Sequence, residues 1–267
     1  MLKRVGRIYP GLWFVVIMNT ILIGIFYGGY AHNIFITLSW IFAQMTVGQF
    51  YTPEFLRGYG VGAPNGSLWT IPVEIQFYVL IVPIVRYFKT SKSWLYLIIV
   101  SIITSILIWY MSTLKTGMYY KILTVSFFPY IYMYLIGGFF AVFDSKIKKM
   151  LDYKFVIFVS FALWIVVRTV MHIPIIGVYI GIIDGLFLSL ATIILGFSYK
   201  FNLSFDFSYG IYLWHMVFVN FFVESGNIGN NFYVLFVIAM SFIMAGISWF
   251  YVEKNGKKIF TGGIINQ

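Results

Sequence analysis

Asn65-Gly66-Ser67-Leu68-Trp69-Thr70-Ile71-Pro72-Val73-Glu74-Ile75-Gln76-Phe77-Tyr78 decides how this chain is read, because it sets a carboxylate inside a run otherwise apolar enough to cross a bilayer. An ionised side chain at the bilayer centre costs roughly 2.5–3.5 kcal/mol on insertion scales, so one that persists pairs, lines a cavity or does chemistry. The run belongs to a chain of 267 residues that is 61% hydrophobic and 10% charged, with a mean hydropathy of +0.91. Those values describe an all-α, polytopic transmembrane helical bundle and exclude an ordinary soluble domain.

A helix crossing the hydrocarbon core needs about 20 mostly apolar residues. That rule predicts eight spans, at 11–30, 68–88, 94–112, 122–143, 155–172, 174–197, 206–224 and 231–252. Segment 34–50 is marginal in length and carries Thr37, Ser39, Gln44, Thr46 and Gln49. If it does not span, a cytoplasmic N-terminus leaves only Arg57, Lys115, Lys121 and Arg168 outside or near outer ends. If it does, those four join Lys3, Arg4 and Arg7 inside and every other basic residue moves out. The positive-inside rule selects the first arrangement, with both termini on the cytoplasmic side. Segment 34–50 is then re-entrant or interfacial and leads into an outer loop, 51–67, rich in Gly and Pro. Irregular backbone at membrane depth is tolerated only against protein or a water-filled cavity, so a cavity is expected beneath Glu74.

The formal charge of +10 therefore reports membrane orientation and not nucleic-acid binding. With no cysteine there is no disulfide or thiolate site, and His32, His172 and His215 lie too far apart for a short-spaced metal cluster. Residues 1–260 read as one membrane domain and 261–267 as a short tail. The basic flank before the first run resembles a signal anchor, but the run is too long for a cleaved h-region and reads as retained.

Three groups of residues carry chemistry. Arg4 and Arg7 share one helix side at i and i+3, and guanidinium forks bind phosphate oxygens bidentately; plain inner-leaflet anchoring beside a helix start is the simpler reading of the residues alone. Glu74, two turns from the outer end of its run, has Tyr78 one turn further on the same face. It could act as general base on a hydroxyl, orient a catalytic histidine or hold an arginine, the plainer reading being a structural ion pair. His215, about nine residues and ~14 Å into its span, has Tyr212 and Tyr209 on roughly one face; it reads either as a midplane proton carrier or as a neutral packing residue bonded to a carbonyl. Arg168 and Asp184 are also embedded in spans, where pairing between neighbouring helices would be structural.

Three landmarks, in order and spacing, resemble the acyltransferase 3 family of bacterial membrane O-acyltransferases. They are Arg4-x-x-Arg7-Ile8-x-Pro10, the block from Asn65 to Tyr78, and Ser208-Tyr209-x-Ile211-Tyr212-Leu213-x-His215, followed by Val252-Glu253-Lys254. The resemblance implies transfer of an acyl group, commonly acetyl, from a cytoplasmic acyl-CoA to a hydroxyl of a surface polysaccharide or its lipid-linked precursor. No permanently bound cofactor is implied. It places Arg4 and Arg7 on the donor side, Glu74 and Tyr78 in the active cavity, Asn65, Ser67, Trp69 and Tyr212 beside the acceptor, and His215 in a supporting role. Family members begin with two further spans that carry the histidine held to act in transfer. This chain starts at the arginine pair, so the resemblance implies an N-terminally truncated or mis-started frame, inactive in this form. A noncatalytic remnant and a transporter or flippase for a lipid-linked glycan are the rival expectations. The transporter predicts internal pseudo-symmetry, which the sequence does not display.

Overall fold

Long apolar stretches fold as helix because in hydrocarbon their backbone groups must pair within the segment, and the helices end where glycine, proline and short polar residues cluster. The computed structural model describes residues 2–27, 34–114, 117–198, 205–227, 229 and 231–260. Its helices are α1 (Leu2–Phe26), α2 (Ile34–Met45), α3 (Thr70–Tyr87), α4 (Ser91–Leu114), α5 (Met118–Thr124) and α6 (Ile131–Val142). They continue with α7 (Asp144–Asp152), α8 (Lys154–Val170), α9 (Ile182–Ser198), α10 (Ser208–Glu224), α11 (Phe232–Ile247) and α12 (Lys254–Phe260). Two 3₁₀ turns, Glu54–Leu56 and Gly66–Trp69, and one π-helical turn, Ser248–Glu253, complete the described structure, in which no strand occurs.

The expected count of eight full-length spans is not confirmed among the described residues. Among the described residues four helices are long and apolar enough to cross a bilayer: Arg4–Phe26, Gly66–Tyr87, Ser91–Leu114 and Phe232–Gly256. A fifth joins them if α7 and α8, bent by 62° at Tyr153, count as one span. The shortfall has local causes. Pro129 and the turns before it cut the expected 122–143 span into α5 and a 12-residue α6. Pro174, Gly177 and Gly181 delay α9 to Ile182, leaving 17 residues, and α8 and α10 also have 17. At 1.5 Å per residue these reach about 25 Å, short of a ~30 Å hydrocarbon core. Helix α2 has 12 residues, about 18 Å, and ends in turns rich in Thr, Gly and Gln. The tail at 261–267 and His32 lie outside the described residues.

The chain divides into two compact units: the ends, Met1–Pro72 with Leu203–Gln267, and the middle, Val73–Asn202. In the first, α1 packs against α2, α10, the π turn and α12, and α10 packs along α11. Helices α10 and α11 approach closely because Gly210 faces Ala245; a Cβ on Gly210 would lie 2.7 Å from the Ala245 Cα. Gly256 meets Pro10 in the same fashion, seating α12 on α1. Ile23, Trp40, Leu56 and Tyr59 form a buried cluster under the loop before α3. In the middle unit, α6 packs between α4 and α9, and α8 packs on α9. Its core is Trp94, Ile98, Tyr132, Leu135, Ile136 and Phe139.

Candidate functional site

The Asn65–Ser67 segment is held by α10. Asn65, 5% exposed, donates its amide to the Leu213 carbonyl at 2.8 Å, and its own oxygen accepts from Ser67 Oγ at 2.8 Å. The Tyr212 hydroxyl donates to the Ser67 carbonyl and lies 2.6 Å from Thr70 Oγ1. These polar groups close on one another and fix the 3₁₀ turn from which α3 starts; Trp69 ends that turn, half-buried. Their chemistry in this structure is that of a clamp on backbone.

Two asparagines extend the clamp. Asn220, fully buried on α10, donates to the Ala63 and Pro64 carbonyls at 2.7 and 2.8 Å and accepts from the Val61 amide at 3.0 Å. Asn19 on α1 adds a bond to the Pro64 carbonyl at 3.1 Å. Glu224, one turn beyond Asn220, accepts from the Gly60 amide at 3.0 Å. Gly60 has a φ of 57°, and its missing Cβ leaves the room Asn220 occupies. Tyr59, 1% exposed, has its hydroxyl pushed up to about 12, first by burial and then by the Glu224 carboxylate.

His215 is half-buried on α10, and its Nδ1 lies 3.2 Å from the Ile211 carbonyl of its own helix. A carbonyl only accepts, so Nδ1 carries the hydrogen of this contact. Arg4 and Arg7 are both exposed on the first turns of α1. Arg7 Nη2 bonds Asp206 Oδ2 at 2.9 Å, and Asp206 also accepts from the Ser208 amide at 3.2 Å, where α10 begins.

In the middle unit Glu74 and Tyr78 stand one turn apart on α3, both half-buried, with the Tyr78 hydroxyl donating to Glu74 Oε1. Gln76 turns the other way and caps the broken stretch before α6, accepting from the Phe127 amide at 2.9 Å. Phe77 stacks on Tyr134 with ring centroids 4.7 Å apart, and with Ile81 it lines an apolar cavity of about 610 Å³ reaching α6 and α9. Glu74 and Tyr78 are not part of that lining. The cavity is therefore neighboured along α3 by the carboxylate and is not built around it.

Sequence reasoning left three placements unassigned. Glu253, quoted only within a motif, is 4% exposed and accepts from Ser248 Oγ at 2.6 Å across the π turn. Asn19 and Asn220 were visible as polar residues in apolar runs, the pattern that also singled out Glu74. Among the described residues no group of three or more His, Cys, Asp or Glu gathers as metal ligands would.

Residues 1–253 match the protein family described as Acyltransferase domain. Nodulation protein 10 of Rhizobium leguminosarum bv. viciae is 24% identical over 281 residues, covering 97% of this chain and 75% of that protein. No solved structure matches.

Proposed function

This chain belongs to the acyltransferase family of that match and is a membrane acyltransferase, and we propose that it moves an acyl group, acetyl first, from acyl-CoA to a hydroxyl of a cell-surface polysaccharide or its lipid-linked precursor. The observation that carries the reading beyond the family is the Glu74–Tyr78 pair: a carboxylate in an apolar helix, steered by a hydroxyl on the next turn. A surface salt bridge would explain a carboxylate at low cost, but no basic side chain of the described structure is paired with Glu74.

In the proposed reaction the acceptor hydroxyl oxygen attacks the thioester carbonyl carbon while its proton passes to the Glu74 carboxylate. The C–S bond then breaks, the ester remains on the sugar, and the proton leaves Glu74 for the departing coenzyme thiolate, giving free thiol. General base catalysis of this kind is worth about 10²- to 10⁴-fold. Arg4 and Arg7 would hold the phosphates of the coenzyme, Arg7 exchanging its Asp206 partner for a phosphate oxygen. Asn65, Ser67, Trp69 and Tyr212 shape the start of α3, and His215 supports α10, so their contribution to the acceptor is through the backbone they fix. In the proposed arrangement the chain sits in a bacterial inner membrane with both termini facing the cytoplasm, an orientation that the distribution of Lys and Arg supports.

The test is transfer of radiolabelled acetyl from acetyl-CoA to base-de-O-acylated host polysaccharide, in membranes of the producing bacterium. Wild type is compared with a deletion strain and with Glu74→Gln at matched protein abundance. Label lost in both the deletion and Glu74→Gln supports the reading. Undiminished transfer by Glu74→Gln removes Glu74 from the chemistry, and undiminished transfer by the deletion strain removes the chain.

A further inference from the structure

A second polar centre lies in the middle unit, away from every motif. Arg168 near the end of α8 pairs through Nη1 with Asp184 Oδ2 in the first turn of α9, and Trp164, one turn earlier on α8, donates Nε1 to Asp184 Oδ1 at 2.9 Å. The pair is largely withdrawn from solvent, with side-chain exposures of 26% and 16%. It is not sealed. Two cavities, of about 340 and 230 Å³, share Arg168, Ile175, Gly181 and Asp184 in their walls, and the larger adds Phe161 and Tyr179.

The donor and acceptor count leaves unused capacity facing that space. Each Asp184 oxygen accepts one bond from protein and retains a second lone pair, while the guanidinium has spent one of its N–H donors on Asp184. A purely structural pair in an apolar bundle would be expected to bury its remaining groups against protein. The loop that carries the aromatic wall is also held in unfavourable backbone. His172 and Tyr179 have φ of 50° and 56°, the left-handed region that bulky side chains rarely adopt. Ile182 N bonds back to the Ile176 carbonyl at 2.9 Å and closes the loop, and the Tyr179 side chain stays 70% exposed at the cavity edge. Strain of this type persists where the position has work to do.

We propose that this centre is a saccharide-binding subsite. A carboxylate with free lone pairs, a guanidinium with free donors and an aromatic wall are the chemistry that recognises adjacent hydroxyls and the apolar face of a sugar ring. The larger cavity falls at the low end of the 300–1,000 Å³ typical of small-ligand sites. The inference rests on the acceptor reading given above, and deepens it by naming where one sugar of the acceptor is held. Trp164 is a positioning residue here, since it acts by orienting Asp184.

The probe is a set of tritium-reduced oligosaccharide fragments from base-de-O-acylated host polysaccharide, bound to the full chain in nanodiscs. Asp184→Asn is expected to weaken binding by about tenfold or more, the loss of a bond to a charged group. Tyr179→Asn is the second variant, because Asn tolerates left-handed backbone: it should unfold at higher denaturant while binding fragments about threefold to tenfold more weakly. Fragments bound equally by wild type, Asp184→Asn and Tyr179→Asn overturn the proposal, as does displacement of fragments by phosphocholine, which would mark a lipid-headgroup site. If wild-type membranes transfer no acetyl but binding follows these residues, the transfer reading fails and the subsite stands; transfer with unchanged binding in the variants has the reverse meaning.

Discussion

Replacing Asn220 by Ala tests whether the loop leading into α3 is clamped from α10. The side chain is fully buried and makes three bonds, two donated to the Ala63 and Pro64 carbonyls and one accepted from the Val61 amide. Asn19 still reaches Pro64, so the substitution strands the Ala63 carbonyl and the Val61 amide outright. Leaving one buried polar group unpaired costs about 1–3 kcal/mol, which puts the two together at about 2–6 kcal/mol, relieved to the extent that the loop opens to water. At 1.4 kcal/mol per factor of ten, even the lower part of that range means roughly 30- to 100-fold more frequent opening. Hydrogen–deuterium exchange on the chain in nanodiscs, read on peptides covering 58–66, should show that loss of protection. Peptides within α4 should not change. Asn220→Asp retains the acceptor for Val61 but turns a carboxylate toward two carbonyls, so it should protect no better than Ala. Protection at 58–66 within about threefold of wild type in Asn220→Ala, the scatter of neutral substitutions, would refute the clamp.

Other expectations follow from single contacts. Tyr78→Phe removes the hydroxyl on Glu74 Oε1 and should lower acetyl transfer about tenfold, less than Glu74→Gln, with abundance unchanged on immunoblots. Ser248→Ala strands the Glu253 oxygen and should cost about 1–3 kcal/mol of unfolding free energy in denaturant titration, whereas Glu253→Gln keeps an acceptor there and should cost less. Tyr59 has a folded-state value raised from the usual 10 to about 12, so the fold binds its proton more tightly than the unfolded chain does. Its contribution is complete below pH 10 and lost as pH rises toward 12; Tyr59→Phe should flatten that decline by about 1–3 kcal/mol in pH-dependent unfolding. Arg7→Ala should raise the KM for acetyl-CoA and leave the KM for polysaccharide fragments in place, measured in the transfer assay.

Composition and the length of apolar runs were enough to establish helices and membrane, because hydropathy summed over twenty residues outweighs local detail. The same averaging hid the breaks. Pro129 interrupts 122–143 and Pro174, Gly177 and Gly181 shorten 174–197, and both stretches stay apolar on either side, so a window sees them as continuous. Glu74 and Tyr78 were legible as neighbours because an i, i+4 spacing fixes their contact within one helix. The pairing of Arg168 with Asp184 was anticipated from charge in apolar surroundings, though not the cavities around it. The partners of Asn220 were not legible: they lie more than 150 positions earlier, and no periodicity reports which loop a buried amide will meet. Asn65, Ser67 and Tyr212 were expected beside the acceptor, and the structure engages them with each other and with backbone, a distinction that depends on side-chain direction.

The π turn has a consequence for how the end of the chain tolerates insertions and deletions. Ser248 and Glu253 are five apart, a spacing an ordinary helix turns to roughly opposite sides at ~100° per residue but a π turn brings together. Deleting one residue from 249–252 would make them four apart, and a plain α-helix would still join hydroxyl to carboxylate. Glu253 and α12 would then keep their phase and Gly256 would stay on Pro10, whereas straightening 248–253 into plain α-helix with every residue kept would swing α12 by about 100° about its axis. The π turn thus absorbs one extra residue without turning the last helix against the first.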